Sequence, residues 1–198
     1  VTLAEGWKPI GSDSSNRFSG HLDGQNHTLT VPEGGLPLLG YVKDAYVGNL
    51  NIYGPQIEGY GLVNNLEGLG LSGNAITIEG VTLKSGTKTL KSGLIGTYIT
   101  TNAFAGCSGN FLVTIRDCVA ERGVVIGYDG TESKIGSFAG RINGTIEGCK
   151  SYATVYGVDS VGGIVGNQDN SVTTFKVTDC EFHGTVEASG EEAGGIIG

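Results

Sequence analysis

The residues best suited to chemistry sit together near the N-terminus, in the phrase FSGHLDGQNHTL at 18–29, where His21, Asp23 and His27 place two imidazoles around one carboxylate. Such a group could move protons in glycan cleavage, which needs a carboxylate pair or a supported base beside the scissile bond. The local pattern favours a quieter role. Asp23-Gly24 reads as a turn, and His27 precedes a short strand at 28–31 as a capping or packing residue. No catalytic residue is therefore assigned, and a polysaccharide lyase or glycosidase is kept as the alternative. Metal chemistry has less support. The chain has four cysteines without a CxxC pair and three scattered histidines, which does not match zinc-ligand spacing. Asp13 with Asp23, or Asp169 with Asn170, could approach calcium, but neither follows a calcium-loop pattern. The expectation is no metal and no cofactor.

Three of the cysteines belong to a periodic word. Leu50, Val81, Cys118, Cys149 and Cys180 follow one another at 31, 37, 31 and 31 residues. Before each of the last four, apolar alternation slips by one residue: Ile76 and Ile78 are in phase, and so are Val81 and Leu83, but the two pairs are not in phase with each other. Side chains alternate across a strand with period two, so the slip marks a corner. The skipped pairs Glu79-Gly80, Arg116-Asp117, Glu147-Gly148 and Thr178-Asp179 are polar or glycine-bearing, as an exposed corner requires. The five positions after the corners are expected to form one interior ladder. Cα atoms one strand spacing apart, about 4.8 Å, leave two states open for the cysteines. The favoured one is a column of reduced, buried thiols, and the other is a disulfide between neighbours. Cys107 lies outside the column, in AFAGCSGN.

A second word travels with the first. PLLG (37–40), GLVN (61–64), GLIG (93–96), SFAG (137–140), GGIVG (162–166) and GGIIG (194–198) each set two apolar residues in a glycine-rich frame. Two linked words at one spacing mean stacked units, each burying its apolar face on a neighbour. A corner, a second short strand, a glycine turn and the glycine-framed word give three short strands per unit of about 31 residues. The predicted fold is all-β: a parallel β-helix, or β-solenoid, of about six rungs and roughly 30 Å in length. Propeller blades and leucine-rich repeats fit neither the period nor the slip.

Composition agrees with many tight turns between short strands. Glycine makes up 36 of 198 residues, yet only 4 prolines occur, too few for collagen, and a hydrophobic fraction of 38% is too high for disorder. A formal charge of −8 argues against nucleic acid as a partner. No apolar run reaches the roughly 18 residues of a membrane helix. Residues 1–198 read as one domain, with an N-terminal lead-in at 1–36 and stacked rungs at 37–198. The missing methionine, the start at Val1 and the stop on a repeat word suggest a segment of a longer protein. The rest of that polypeptide is expected to cover the open solenoid ends.

The phrase F-x-G-x-L-D-G-x-x-H-T-L at 18–29, GWKPIG at 6–11 and the glycine-framed series together resemble bacterial surface proteins carrying the GLUG repeat, and the repeat regions of bacterial immunoglobulin A1 peptidases. The resemblance implies a right-handed β-helical repeat region of a secreted or wall-anchored protein of a gut or mucosal bacterium, serving adhesion or presentation. It implies an extracellular or cell-surface location. PLLG, GLVN and SFAG depart from the full word, and no HExxH of a peptidase is present. The resulting expectation is a non-catalytic structural and adhesive module, with the spacer or recognition domain of a secreted peptidase as a further alternative.

Specificity should then lie where the repeat is interrupted, in 97–110 and 127–134. There Tyr98, Asn102, Tyr128 and Asp129 offer aromatic faces and hydrogen-bonding groups to a host or microbial glycan or a surface protein. An outward column of Tyr53, Lys84, Glu121, Tyr152 and His183 offers a second surface, more simply read as a solvated face.

Overall fold

The computed structural model describes residues 1–13, 15–66, 75–97, 112–142, 144–168 and 175–198. Tyr98, Asn102, Cys107, Asp169 and Asn170 lie outside the described residues. All regular structure among the described residues is β, with no helix, and every named strand pairs in parallel. One isolated bridge, Asp13 to Asn16, is antiparallel.

The glycine-framed words pair with one another. Their second apolar residues lie opposite each other in sequence order, Leu39, Val63, Ile95, Ala139, Val165 and Ile197, and Ile10 of GWKPIG bridges to Leu39 at the head of the row. From Leu38 to Val165, both apolar residues of each word are buried. Two adjacent side chains can both face inward because the chain bends on the first half of the word and becomes extended only at the second. At Gly61 and Gly93 the leading glycine is set by contact, whereas SFAG carries Ser137 in the same place. A Cβ on Gly61 would lie 1.9 Å from the carbonyl oxygen of Gly93, and one on Gly93 would lie 1.9 Å from that of Ser137.

The corners lie where the alternation slips. Asn49, Gly80, Asp117, Gly148 and Asp179 all have φ between 51° and 62°, the left-handed region open to glycine and tolerated by Asn and Asp. The strands Leu39–Tyr53 and Ala75–Leu83 run through this residue, whereas later repeats break at it. Leu50 pairs with Val81 beyond it. Cys118, Cys149 and Cys180 each stand immediately before the paired strands Val119–Ala120, Lys150–Ser151 and Glu181–Phe182.

All three cysteines are free thiols, with Cys118 and Cys149 fully buried and Cys180 partly exposed. Each thiol donates to the carbonyl two residues back, of Arg116, Glu147 or Thr178, at 3.3 Å. Each also reaches a carbonyl of the preceding repeat, from Ile78, Ile115 or Ile146. Cysteine thus fills a small apolar slot and supplies a weak donor at the corner.

The repeats from Leu112 onward hold more strands than three, whereas residues 75–97 hold three. Between Lys150–Ser151 and Val165–Gln168 lie Thr154–Gly157 and Val161–Gly162, which belong to two further parallel sheets. Segments of two to four residues are too short to display a period, so the sequence reading merged them into turns.

Candidate functional site

The segment 127–134, expected to interrupt the repeat, is held in place. Lys134 N–H donates to Asp159 O at 2.8 Å and Val158 N–H to Glu132 O at 2.8 Å, joining it to the following repeat. Asp129 is consumed locally, accepting from the Thr131 N–H at 3.1 Å and the Thr131 hydroxyl at 2.9 Å. Tyr128 instead reaches outward across the sheet. Its hydroxyl donates to Glu58 Oε1 at 3.0 Å, and Gln56 Nε2 donates to the same oxygen at 3.1 Å. Burial and the Glu58 carboxylate hold the Tyr128 phenol above its ordinary pKa.

Two neighbours enlarge this patch. Lys91 Nζ lies 5.8 Å from the centroid of the Tyr60 ring, within cation–π range, and 3.3 Å from Glu132 Oε1. Gln56, Glu58, Tyr60 and Tyr128 are all half-buried. Buried Ile57 and Gly59 alternate with half-buried Gln56, Glu58 and Tyr60 in this bent segment, whose one bridge is at Ile57. The bridge between Ile57 and Thr89 then sets Leu90 and Lys91 beside that segment. Two tyrosine rings, one ammonium, one carboxamide and two carboxylates combine apolar faces with fixed donors and acceptors, the composition of a site for a hydroxyl-rich ligand. Of the four proposed ligand-binding residues, Tyr128 belongs here, Asp129 serves the turn beside it, and Tyr98 and Asn102 lie outside the described residues. Gln56, Glu58, Tyr60 and Lys91 escaped the sequence reading. Their grouping depends on the register of Ile57 with Thr89, which no single segment displays.

The N-terminal cluster does not converge as a triad. His21 stacks on Tyr46 with centroids 4.3 Å apart and planes 6° from parallel. Asp23 accepts from Gln25 N–H at 2.9 Å and from Asn49 Nδ2 at 3.1 Å, and these bonds lower its pKa. His27 follows the left-handed pair Gln25 and Asn26, and its main chain bonds to Gly24 and Asn51. Beyond His21 the same outward face continues as a network. Tyr46 donates to Glu79, which binds Arg116 Nη2 at 2.8 Å and is lowered in pKa chiefly by that guanidinium.

Asp13 is held by Asn16, the Ser15 N–H and Ser12, which lower its pKa to about 2. No group of three His, Cys, Asp or Glu among the described residues is placed to hold a metal ion.

The outward column after the ladder pairs with itself. Lys84 binds Glu121, and Tyr152 stacks on His183 with centroids 5.2 Å apart. His183 Nε2 lies 2.9 Å from Glu181, which also binds Lys150 at 2.8 Å. Most charged side chains here neutralise a neighbour in the next repeat.

No family model matches the chain, and no curated protein or solved structure matches it.

Proposed function

We infer that the chain is a right-handed parallel β-solenoid of about six rungs that works as a non-catalytic structural and adhesive module of a secreted or cell-surface bacterial protein. Its binding surface is the patch around Tyr128 and Glu58, and its ligand is a glycan. The observation that carries this reading is how the outward polar groups are used. His21, Asp23, Glu79, Arg116, Lys84 and Glu121 each bond or stack with a neighbour along the sheet. A catalytic site needs side chains from different elements aimed at one reacting centre, and fold alone supplies no activity. The Tyr128 patch differs because two half-buried rings flank its fixed polar groups, the arrangement by which sugars are held without being cut.

The test is a panel of neutral and acidic glycans immobilised on a sensor, with mass spectrometry of the eluate. Retention of at least one glycan at full mass supports the reading. Release of cleaved sugar that disappears in His21→Ala overturns it in favour of a polysaccharide-active enzyme.

A further inference from the structure

The patch around Tyr128 has a sign as well as a composition. Glu58 uses one oxygen twice, since Oε1 accepts from the Tyr128 hydroxyl at 3.0 Å and from Gln56 Nε2 at 3.1 Å. Its other oxygen, Oε2, receives no hydrogen bond among the described residues, although Glu58 is half-buried. A carboxylate oxygen so placed is completed by a donor from outside the chain, and a charged donor completes it best.

The charges around it decide which donor. Lys91 is held by Glu132 at 3.3 Å, and exposed Lys88, the other ammonium on this stretch, forms no ion pair with Glu58. Asp129 gives its oxygens to Thr131, a neutral partner that leaves its charge uncancelled. After burial, the carboxylates of Glu58 and then Asp129 hold the Tyr128 phenol above its ordinary pKa, and no cation opposes them. The field at that hydroxyl is therefore negative. The rings share the preference, because the face of a tyrosine attracts cations, and Tyr60 already carries Lys91 at 5.8 Å.

These groups are in place before any ligand arrives. Leu90 N–H donates to Ile57 O at 3.0 Å, Lys91 N–H to Gly59 O at 2.9 Å and Tyr128 N–H to Thr89 O at 3.1 Å, so main chain joins all three segments. Little ordering is left to oppose binding.

We infer, resting on the reading that this patch holds a glycan, that it selects sugars bearing a protonated amine, the de-N-acetylated hexosamines, whose ammonium meets Glu58 Oε2 beside the two tyrosine rings. A neutral sugar offers a hydroxyl there and lacks the charge. An N-acetylated sugar has given up that charge to an amide, and a uronate sets its carboxylate against Glu58 and Asp129.

The experiment titrates three β-1,4-linked hexamers, of glucosamine, N-acetylglucosamine and glucose, into the full chain by calorimetry, in mildly acidic buffer that keeps the sugar amines charged. The glucosamine hexamer is expected to bind at least roughly tenfold more tightly than the other two. Glu58→Gln should cut that preference to about twofold or less, with circular dichroism unchanged. Glu187→Gln removes the same charge from an exposed residue three strands from Lys88–Thr89 in one sheet, and should leave the preference intact. Equal affinity for the three hexamers, or a preference that survives Glu58→Gln, overturns the inference and leaves the glycan reading standing. So does a preference lowered equally by Glu187→Gln, since the attraction then belongs to net charge. If none of the three binds while another glycan of the panel is retained, the inference alone falls; if no glycan is retained, the glycan reading falls with it.

Discussion

The hydroxyl of Tyr128 donates a 3.0 Å hydrogen bond to Oε1 of Glu58, a residue 70 positions earlier, and so ties two repeats together across the outward face. A bond to a half-buried carboxylate is worth about 1 kcal/mol net. Tyr128→Phe and Glu58→Gln should each lower stability by about that amount in urea titrations. Their double variant should lose less than the sum, showing coupling of about 0.5–1 kcal/mol.

The corner column offers a sharper contrast. Gly80 has φ of 60°, and a Cβ there would lie 3.2 Å from the Asn49 side-chain oxygen. Gly80→Asn should cost under about 1 kcal/mol, because Asn tolerates the left-handed region. Gly80→Val should cost more than about 2 kcal/mol, because a branched side chain does not. Denaturant midpoints at constant m-value separate the two.

Close approach rather than backbone angle governs the leading glycine of GLVN and GLIG. Gly93→Ala would force a Cβ to 1.9 Å from the Ser137 carbonyl oxygen, and main chain cannot yield as a flexible side chain can. The expected loss is about 3 kcal/mol or more, from overpacking and broken pairing. A melting temperature within a few degrees of the parent would contradict the register described.

The cysteine column makes the protein sensitive to alkali. A hydrogen bond with Cys118, together with burial, pushes the Cys149 thiol up to about 12, and its bond to Cys149 together with burial raises Cys180 as well. A raised pKa means that the folded chain holds its proton where the unfolded chain, near 9, has lost it. Stability is then full below pH 9 and declines above it, by about 1.4 kcal/mol per pH unit for one such thiol, until the pH passes the folded value. Tyr46 and Tyr128, also raised, act in the same direction. Cys149→Ala should start less stable at pH 7 and show a flatter decline. Peptide mapping after iodoacetamide treatment should find Cys180 labelled well before Cys118 or Cys149.

The fold was legible where one repeat could be laid over another. The slip between Ile78 and Val81 located the left-handed corner at Gly80, and the glycine-framed words announced the pairing of Leu39 with Val63 and of Ala139 with Val165. Short strands such as Val161–Gly162 stayed hidden, because two residues carry no period. The candidate site was legible only at Tyr128. Glu58, Tyr60 and Lys91 join it through inter-strand register, which brings together residues that no linear spacing marks. His21, Asp23 and His27 illustrate the converse. Closeness in sequence suggested a constellation, but His27 follows the left-handed turn at Gln25 and Asn26, stacking on Tyr46 occupies His21, and Asp23 bonds Gln25 and Asn49.

The proposed role of the Tyr128 patch is to hold a glycan without cutting it. The most direct measurement is calorimetric titration of one retained glycan into the parent chain and into Tyr60→Ala and Tyr128→Ala. Each ring is expected to contribute about 1 kcal/mol or more, so each variant should bind at least roughly fivefold more weakly with the circular dichroism unchanged. Equal affinity in all three proteins, or heat of turnover from the parent chain, would contradict it.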